Sequence, residues 1–235
     1  MVDVFDEVEE QLRQDRYQEA LKKWGPIVGG VALAIILVAA GWQWWVASRV
    51  AQAEAASMAY LAAVDQIIEE ETALAQAGLQ ALSEDGNAGY RTLALLQRAG
   101  LALDEGDRET AATYFDEAAS STSEPLLRDL AQLKSVWARW DELSFADIEI
   151  RLSPLAADSA PYRFLARESI GAAALRAGDL ERAESEYQIL AFSFEVSDAL
   201  RRRAQEALAA IAALQAVSGE DVTDEQATTE DGSND

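Results

Sequence analysis

The feature that most restricts how this chain can fold is the stretch 25–47, in which no side chain is charged. As an α-helix rising about 1.5 Å per residue, it would extend roughly 35 Å, enough to cross a hydrocarbon core of about 30 Å. Its central part, Ile27 to Ala40, contains only Val, Ile, Leu, Ala and Gly. Because a helix satisfies its own backbone hydrogen bonds, we predict a single transmembrane helix over 25–47.

Tryptophans stand at both ends of this stretch. Trp24 precedes it, and Trp42, Trp44 and Trp45 cluster near its end. An indole ring places its apolar surface in lipid and its N–H among headgroups, so we expect these four residues to anchor the helix at the membrane interfaces. Two other interpretations are weaker: a core helix is seldom this long and uncharged, and a signal peptide cleaved after Ala51-Gln-Ala53 would have a shorter, less acidic head.

The basic residues near the apolar stretch predict its orientation. Arg13, Arg16, Lys22 and Lys23 precede it, whereas Arg49 alone follows it before Arg91. Basic flanks remain on the cytoplasmic side, so the head, 1–24, should be cytoplasmic and the rest translocated. Apolar residues at helical spacing in the head predict an amphipathic helix there.

Composition argues against several classes of function. The chain has 42 acidic and 19 basic residues, a net charge of −23, and neither Cys nor His. Such a charge opposes nucleic-acid binding. Without Cys and His there is no thiolate nucleophile, Ser-His-Asp triad or Cys/His zinc site. We therefore expect no enzyme, no catalytic, cofactor-binding or metal site, no cofactor and no small-molecule substrate.

A short pattern occurs twice in the Ala/Leu-rich body, 48–217. Two glycines 72 residues apart are each followed by Asp, by Ala five residues after the Gly and by an aromatic residue four further on. The spacing is about twice the roughly 34-residue period of tetratricopeptide (TPR) repeats. The Gly-Asp step would turn the chain between antiparallel helices, and the Ala would let them approach. The signature residues are Gly106, Asp107, Ala111 and Phe115, then Gly178, Asp179, Ala183 and Tyr187, with Gly171 as a further small residue in the second case.

The remaining segments complete an all-α prediction. We expect one helical segment from Val50 to Leu82, in which Glu69–Glu71 interrupts the apolar pattern toward solvent. A degenerate middle pair over 126–141 and 145–152 and a terminal cap helix over 201–217 follow. The fold class is thus an N-terminal transmembrane helix followed by a TPR-like α-solenoid of helical hairpins. The end of the chain, 218–235, has seven acids and no bases, which predicts a disordered acidic tail. Trp137, Trp140, Tyr162 and Phe164 are candidates for aromatic residues of a binding groove, although most of them should be core.

The architecture as a whole resembles the YfgM family, single-pass, TPR-bearing ancillary subunits of the SecYEG translocon. The resemblance is strongest around Gly41-Trp-Gln-Trp-Trp45 and the following Ala55-Ala-Ser-Met-Ala-Tyr60. It implies the bacterial inner membrane with a periplasmic body. It also implies protein partners, namely the translocon and a membrane-anchored periplasmic chaperone of the prolyl-isomerase type, to which emerging substrates are handed.

Two functions are compatible with these features. The first is a non-enzymatic, membrane-anchored adaptor for protein–protein interaction at the SecYEG translocon. The second is a TPR-like scaffold subunit of another envelope complex, such as a respiratory or cell-wall assembly, because a fold does not decide a function. The identity of the partners discriminates between them.

Overall fold

The computed structural model describes the backbone of residues 3–230 and the side chains at 24, 30–31 and 33–217. The described backbone is all-α, with no strand between residues 3 and 230. The helices are α1 (Asp3–Ile68), α2 (Thr72–Asp85), α3 (Ala88–Asp104), α4 (Arg108–Ser121), α5 (Pro125–Ala138), α6 (Phe145–Leu152), α7 (Arg163–Ala177), α8 (Leu180–Phe192) and α9 (Asp198–Glu230), with a 3-10 turn at Ser153–Ala156 after α6.

The chain divides into two compact units, residues 1–55 and 56–235. In the first, helix α1 is continuous through the head and the apolar stretch. One helical segment is long and apolar enough to cross a membrane, and among the described residues it extends over Leu33–Ile68. Ile35, Ile36, Leu37 and Val38 are all highly exposed. An apolar helix surface without protein against it fits a lipid environment.

The predicted single helix from Val50 to Leu82 is wrong, because the chain turns at Glu69–Glu71. Helix α1 ends at Ile68, and Glu70 adopts a left-handed φ of 63°. The Glu71 amide donates to the Gln66 carbonyl at 2.8 Å, a bond that closes a helix C-terminus in the way a terminal glycine usually does. Helix α2 then begins at Thr72. No Gly or Pro in the sequence marks this break.

The second unit is a series of helices that pack against their neighbours in chain order: α2 on α3, α3 on α4, α4 on α5, α6 on α7, α7 on α8 and α8 on α9. Successive apolar clusters fill the spaces between them. Leu79 and Leu101 lie in the first, Phe115 in another, and Leu190 and Ile211 in the last. No single hairpin encloses a core, so stacking stabilises the whole series.

The middle pair and the C-terminal helix fall close to their predicted places. Helix α6 has the predicted bounds, 145–152, and α5 ends at Ala138 rather than at Asp141. Helix α9 continues to Glu230, past the domain boundary predicted at 217. The side chains from 218 onward, and all of 231–235, lie outside the described residues, so the disordered acidic tail stays a prediction.

Candidate functional site

The two Gly-Asp steps form turns of the same geometry. Gly106 and Gly178 both have φ of +81°, the left-handed region that favours glycine. At the first turn the Asp107 amide donates to the Ala102 carbonyl at 2.8 Å, and at the second the Asp179 amide donates to the Ala174 carbonyl at 2.9 Å. These bonds satisfy carbonyls that the ends of α3 and α7 would otherwise leave free.

Each aspartate then begins the next helix. The Asp107 carboxylate accepts a hydrogen bond from the Thr110 amide at 3.0 Å, and Asp179 accepts one from the Arg182 amide at 3.0 Å. Such caps satisfy amides that have no partner in the first helical turn. The bond from Thr110 favours the charged carboxylate and lowers the pKa of Asp107 below its ordinary value.

The small and aromatic signature residues lie between the helices. Ala111 and Ala183 are fully buried, and Phe115 and Tyr187 are almost fully buried. Burial of the phenol raises the pKa of Tyr187, and the nearby Glu168 carboxylate raises it further. The eight signature residues are therefore interior or turn positions, and they set the packing of the helices.

The middle pair turns differently, over residues 139–144. Ser144 begins α6 with a capping box in which its hydroxyl accepts from the Asp147 amide. Arg176 of α7 donates to the carbonyls of Trp140 at 2.6 Å and Leu143 at 2.8 Å. The Ser-x-x-Asp spacing of the box is visible in the sequence, whereas nothing local to Arg176 indicates its role.

The four membrane-anchor tryptophans are exposed. Trp42 and Trp45 lie with their ring centroids 5.4 Å apart, and the Arg49 guanidinium lies 4.0 Å from the centroid of Trp45. A cation on an indole face at the end of an apolar helix is compatible with a membrane interface. Their role as membrane anchors stays a prediction.

Of the four candidate groove aromatics, only Trp137 combines an exposed face with a cavity. Trp140, Tyr162 and Phe164 are half-buried against the core. The Trp137 side chain is 40% exposed, and its Nε1 donates to the Ser169 hydroxyl at 2.9 Å, which fixes the ring. The Trp137 cavity, about 250 Å³, is lined by Leu103, Arg108, Phe115, Lys134, Trp137 and Ala138.

The cavity differs from the rest of the chain in charge. Its two charged lining residues, Arg108 and Lys134, are both cationic, although the chain carries a net charge of −23. Arg108 pairs with Asp141 at 3.0 Å, and the Lys134 ammonium lies 5.6 Å from the centroid of the Phe115 ring. Between positions 33 and 217, no group of three acidic side chains has the geometry of a metal site.

Comparison with known proteins supports the repeat architecture. A family model described as a tetratricopeptide repeat-like domain matches residues 18–208, most of the chain. No curated protein and no solved structure matches it.

Proposed function

The chain belongs to the tetratricopeptide repeat-like domain family, and on that premise we propose that it is a membrane-anchored adaptor at the SecYEG translocon. In this proposal it passes translocated proteins to a membrane-anchored periplasmic chaperone. Repeat domains of this family present surfaces for protein–protein interaction, which makes the chain a scaffold for protein partners. The repeats, the single apolar helix and the resemblance to the YfgM family together support the narrower role.

The observation that carries the proposal is the continuity of α1. The same helix contains the apolar segment, with exposed residues such as Leu37 and Val38, and ends at Ile68. Residues from Ala56 onward belong to the repeat unit, where Ala63 is buried in the first core cluster. Because the apolar segment and the start of the repeat unit share one helix, no flexible linker separates them in the sequence, which supports a membrane-anchored adaptor.

The charge of the body indicates what a partner would offer. Residues 49–235 contain 15 basic and 35 acidic side chains, a net charge of 15 − 35 = −20. A partner surface that is basic would be attracted over the Debye length, about 8 Å at physiological salt. We therefore expect association with the partner to weaken as salt concentration rises.

The test is affinity isolation of the full chain from membranes in mild detergent, probed for translocon subunits and for the anchored chaperone. The matched control is a variant in which 25–47 is replaced by an unrelated single-pass helix of the same length. Recovery of the translocon with the native helix, and its loss with the replacement, supports the proposal. A different stoichiometric complex without the translocon contradicts it and favours a scaffold of another envelope assembly.

A further inference from the structure

The loop between α8 and α9, residues 193–197, holds the most exposed aromatic side chain of the repeat unit. Phe194 is 99% exposed, so nothing in its own chain packs against the ring. Phe192, at the end of α8, is also exposed, whereas Val196 is buried in the last core cluster. Together the two exposed phenyl rings leave a large apolar surface in water, which burial in a second protein would remove.

The loop is held in place by several bonds. Arg201 of α9 donates to the carbonyls of Ser193 at 3.2 Å and Val196 at 2.9 Å. The Arg163 guanidinium of α7 donates to the Glu195 carboxylate at 2.6 Å. Contacts from two helices on both sides of Phe194 fix the backbone that carries it, so the ring projects from an ordered support.

The Trp137 cavity has the dimensions and lining that such a ring requires. The cavity is open to solvent on one side, and its volume of about 250 Å³ leaves room for a phenyl ring against its walls. Leu103, Phe115 and Trp137 supply apolar and aromatic walls, and Leu103 and Trp137 are both partly exposed. Of two further cavities, one is lined mainly by polar or charged side chains such as Arg98 and Glu105. The other has a mixed lining that includes Asp116, Val136 and Arg151, with no aromatic side chain.

The charges beside the ring and in the cavity are opposite in sign. Glu195 follows Phe194, and its side chain is 72% exposed despite the bond to Arg163. Lys134 lines the cavity and forms no ion pair with any carboxylate in the part of the chain whose side chains are described. An aromatic ring followed by a carboxylate therefore matches an apolar cavity with an unpaired ammonium group.

We propose that Phe194 of one copy inserts into the Trp137 cavity of a second copy of this chain, with Glu195 facing Lys134. The contact joins different surfaces of the two copies, so it is heterologous. The inference is independent of the proposed role at the translocon, because it needs only this chain in a bilayer.

Mass action and charge set the conditions for this contact. One ring in one cavity is much smaller than a standard interface, and two chains of net charge −23 repel each other. Anchoring both copies in one bilayer raises their effective concentration, and about 0.15 M salt screens repulsion between distant charges. We therefore expect association in the membrane and little in dilute detergent solution.

The test uses full-length chains reconstituted in phospholipid vesicles at that salt concentration. Because the chain has no cysteine, one population carries Phe192→Cys beside the ring and the other carries Asp141→Cys, at the residue paired with Arg108. A short bismaleimide should join the two populations. In the control, the second population carries Leu126→Cys instead of Asp141→Cys. Its thiol lies near the start of α5, eleven residues before Trp137 and about 16 Å from it along the helix. Cross-linking there should fall at least fivefold.

The deciding variant is Phe194→Ser in the population that carries Phe192→Cys. We expect at least a tenfold slower cross-link, and no change when Phe194→Ser is placed in the other population. Ile150→Ser, which removes another exposed apolar side chain, is the matched control and should leave the rate unchanged. A cross-link insensitive to Phe194→Ser, or equal from the Leu126 position, overturns the proposal.

The charge pair provides an independent test. Lys134→Glu in the copy that supplies the cavity should slow cross-linking several-fold by repelling Glu195. Glu195→Gln in the other copy should restore most of the rate, because the repulsion is removed while the side-chain amide oxygen at this position can still accept from Arg163. Failure of the second change to restore the rate would contradict the assigned orientation, and a preserved unfolding midpoint for each variant shows that the fold is intact.

Discussion

Gly171 of α7 lies directly against the ring of Tyr187 in α8: a Cβ atom at position 171 would be 3.1 Å from Tyr187 Cε2 and 3.3 Å from Glu186 Cβ. Tyr187 is buried in the last core cluster, so its ring has little room to move. The absence of a side chain at 171 therefore sets how closely α7 and α8 approach.

This contact predicts opposite effects for two Gly-to-Ala changes within helices. Gly100 of α3 has nothing within 4 Å of an added Cβ, so Gly100→Ala should stabilise the protein by about 0.5–1 kcal/mol through helix propensity. In Gly171→Ala the steric conflict with Tyr187 offsets this gain. We expect the free energy of unfolding of Gly171→Ala to be lower than that of Gly100→Ala by at least about 1 kcal/mol. Chemical unfolding followed by circular dichroism measures the difference. Equal stability of the two variants would show that Tyr187 yields without cost.

The turn at Glu69–Glu71 gives a second prediction. Glu70 has a φ of 63°, which costs a residue with a side chain about 1–2 kcal/mol and costs glycine little. Glycine loses more conformational entropy on folding than glutamate does, which cancels part of this gain. Glu70→Gly should therefore stabilise the protein by about 0.5–1 kcal/mol. Glu69→Gly, one residue earlier at a position without positive φ, is the control and should not stabilise. Unfolding midpoints of the two variants test this, and a destabilised Glu70→Gly would contradict it.

The turns of the repeat unit show which parts of the fold the sequence could predict and which it could not. The Gly-Asp steps were recognisable because glycine is required where φ is +81°, and the repeat-like fold followed from them. The three acids Glu69–Glu71 interrupt the apolar pattern, but such an interruption is equally typical of the solvent-exposed face of a continuous helix, so it does not predict the left-handed Glu70. The bonds from Arg176 to the middle turn join residues more than thirty positions apart. The exposure of Phe194 depends on the absence of any other described side chain against its ring. Periodicity in one helix does not contain that information.

The cap of α4 predicts a specific dependence on pH. The pKa of Asp107 is lowered by the Thr110 amide, so its contribution to stability is complete above the unfolded pKa of about 3.9 and is lost as pH falls through the lower folded value. Asparagine caps as well as aspartate but does not titrate. Wild type and Asp107→Asn should therefore differ by a constant amount at pH 5–7. Below about pH 4 the wild type should lose stability relative to the variant, measured as urea midpoints. A difference that stays constant down to pH 3 would contradict the assignment.

Glu186 connects α7 and α8 through a buried carboxylate. Its two oxygens lie 3.1 Å from Arg167 and 3.0 Å from Arg182, and its side chain is 4% exposed. Glu186→Ala removes the buried partner of both guanidinium groups, although Arg182 keeps Glu149 at 3.1 Å. We expect a cost of about 2 kcal/mol, below the range for a broken buried pair, because both arginines are partly exposed. Asp141→Ala breaks the exposed pair with Arg108 and should cost less than about 1 kcal/mol. Equal losses in unfolding free energy would show that the Glu186 network contributes no more than a surface pair.

The orientation of α1 can be tested with single cysteines, because the natural chain has none. Ile150→Cys lies on the exposed face of α6, and Gln14→Cys lies in the head that carries most of the flanking basic residues. With the head cytoplasmic, a membrane-impermeant maleimide should label Ile150→Cys in cells whose outer membrane has been opened. Gln14→Cys should react only after the inner membrane is broken. The reverse pattern would place the repeat unit in the cytoplasm and remove the basis for the translocon proposal, whereas the contact between Phe194 and the Trp137 cavity could still be tested in vesicles.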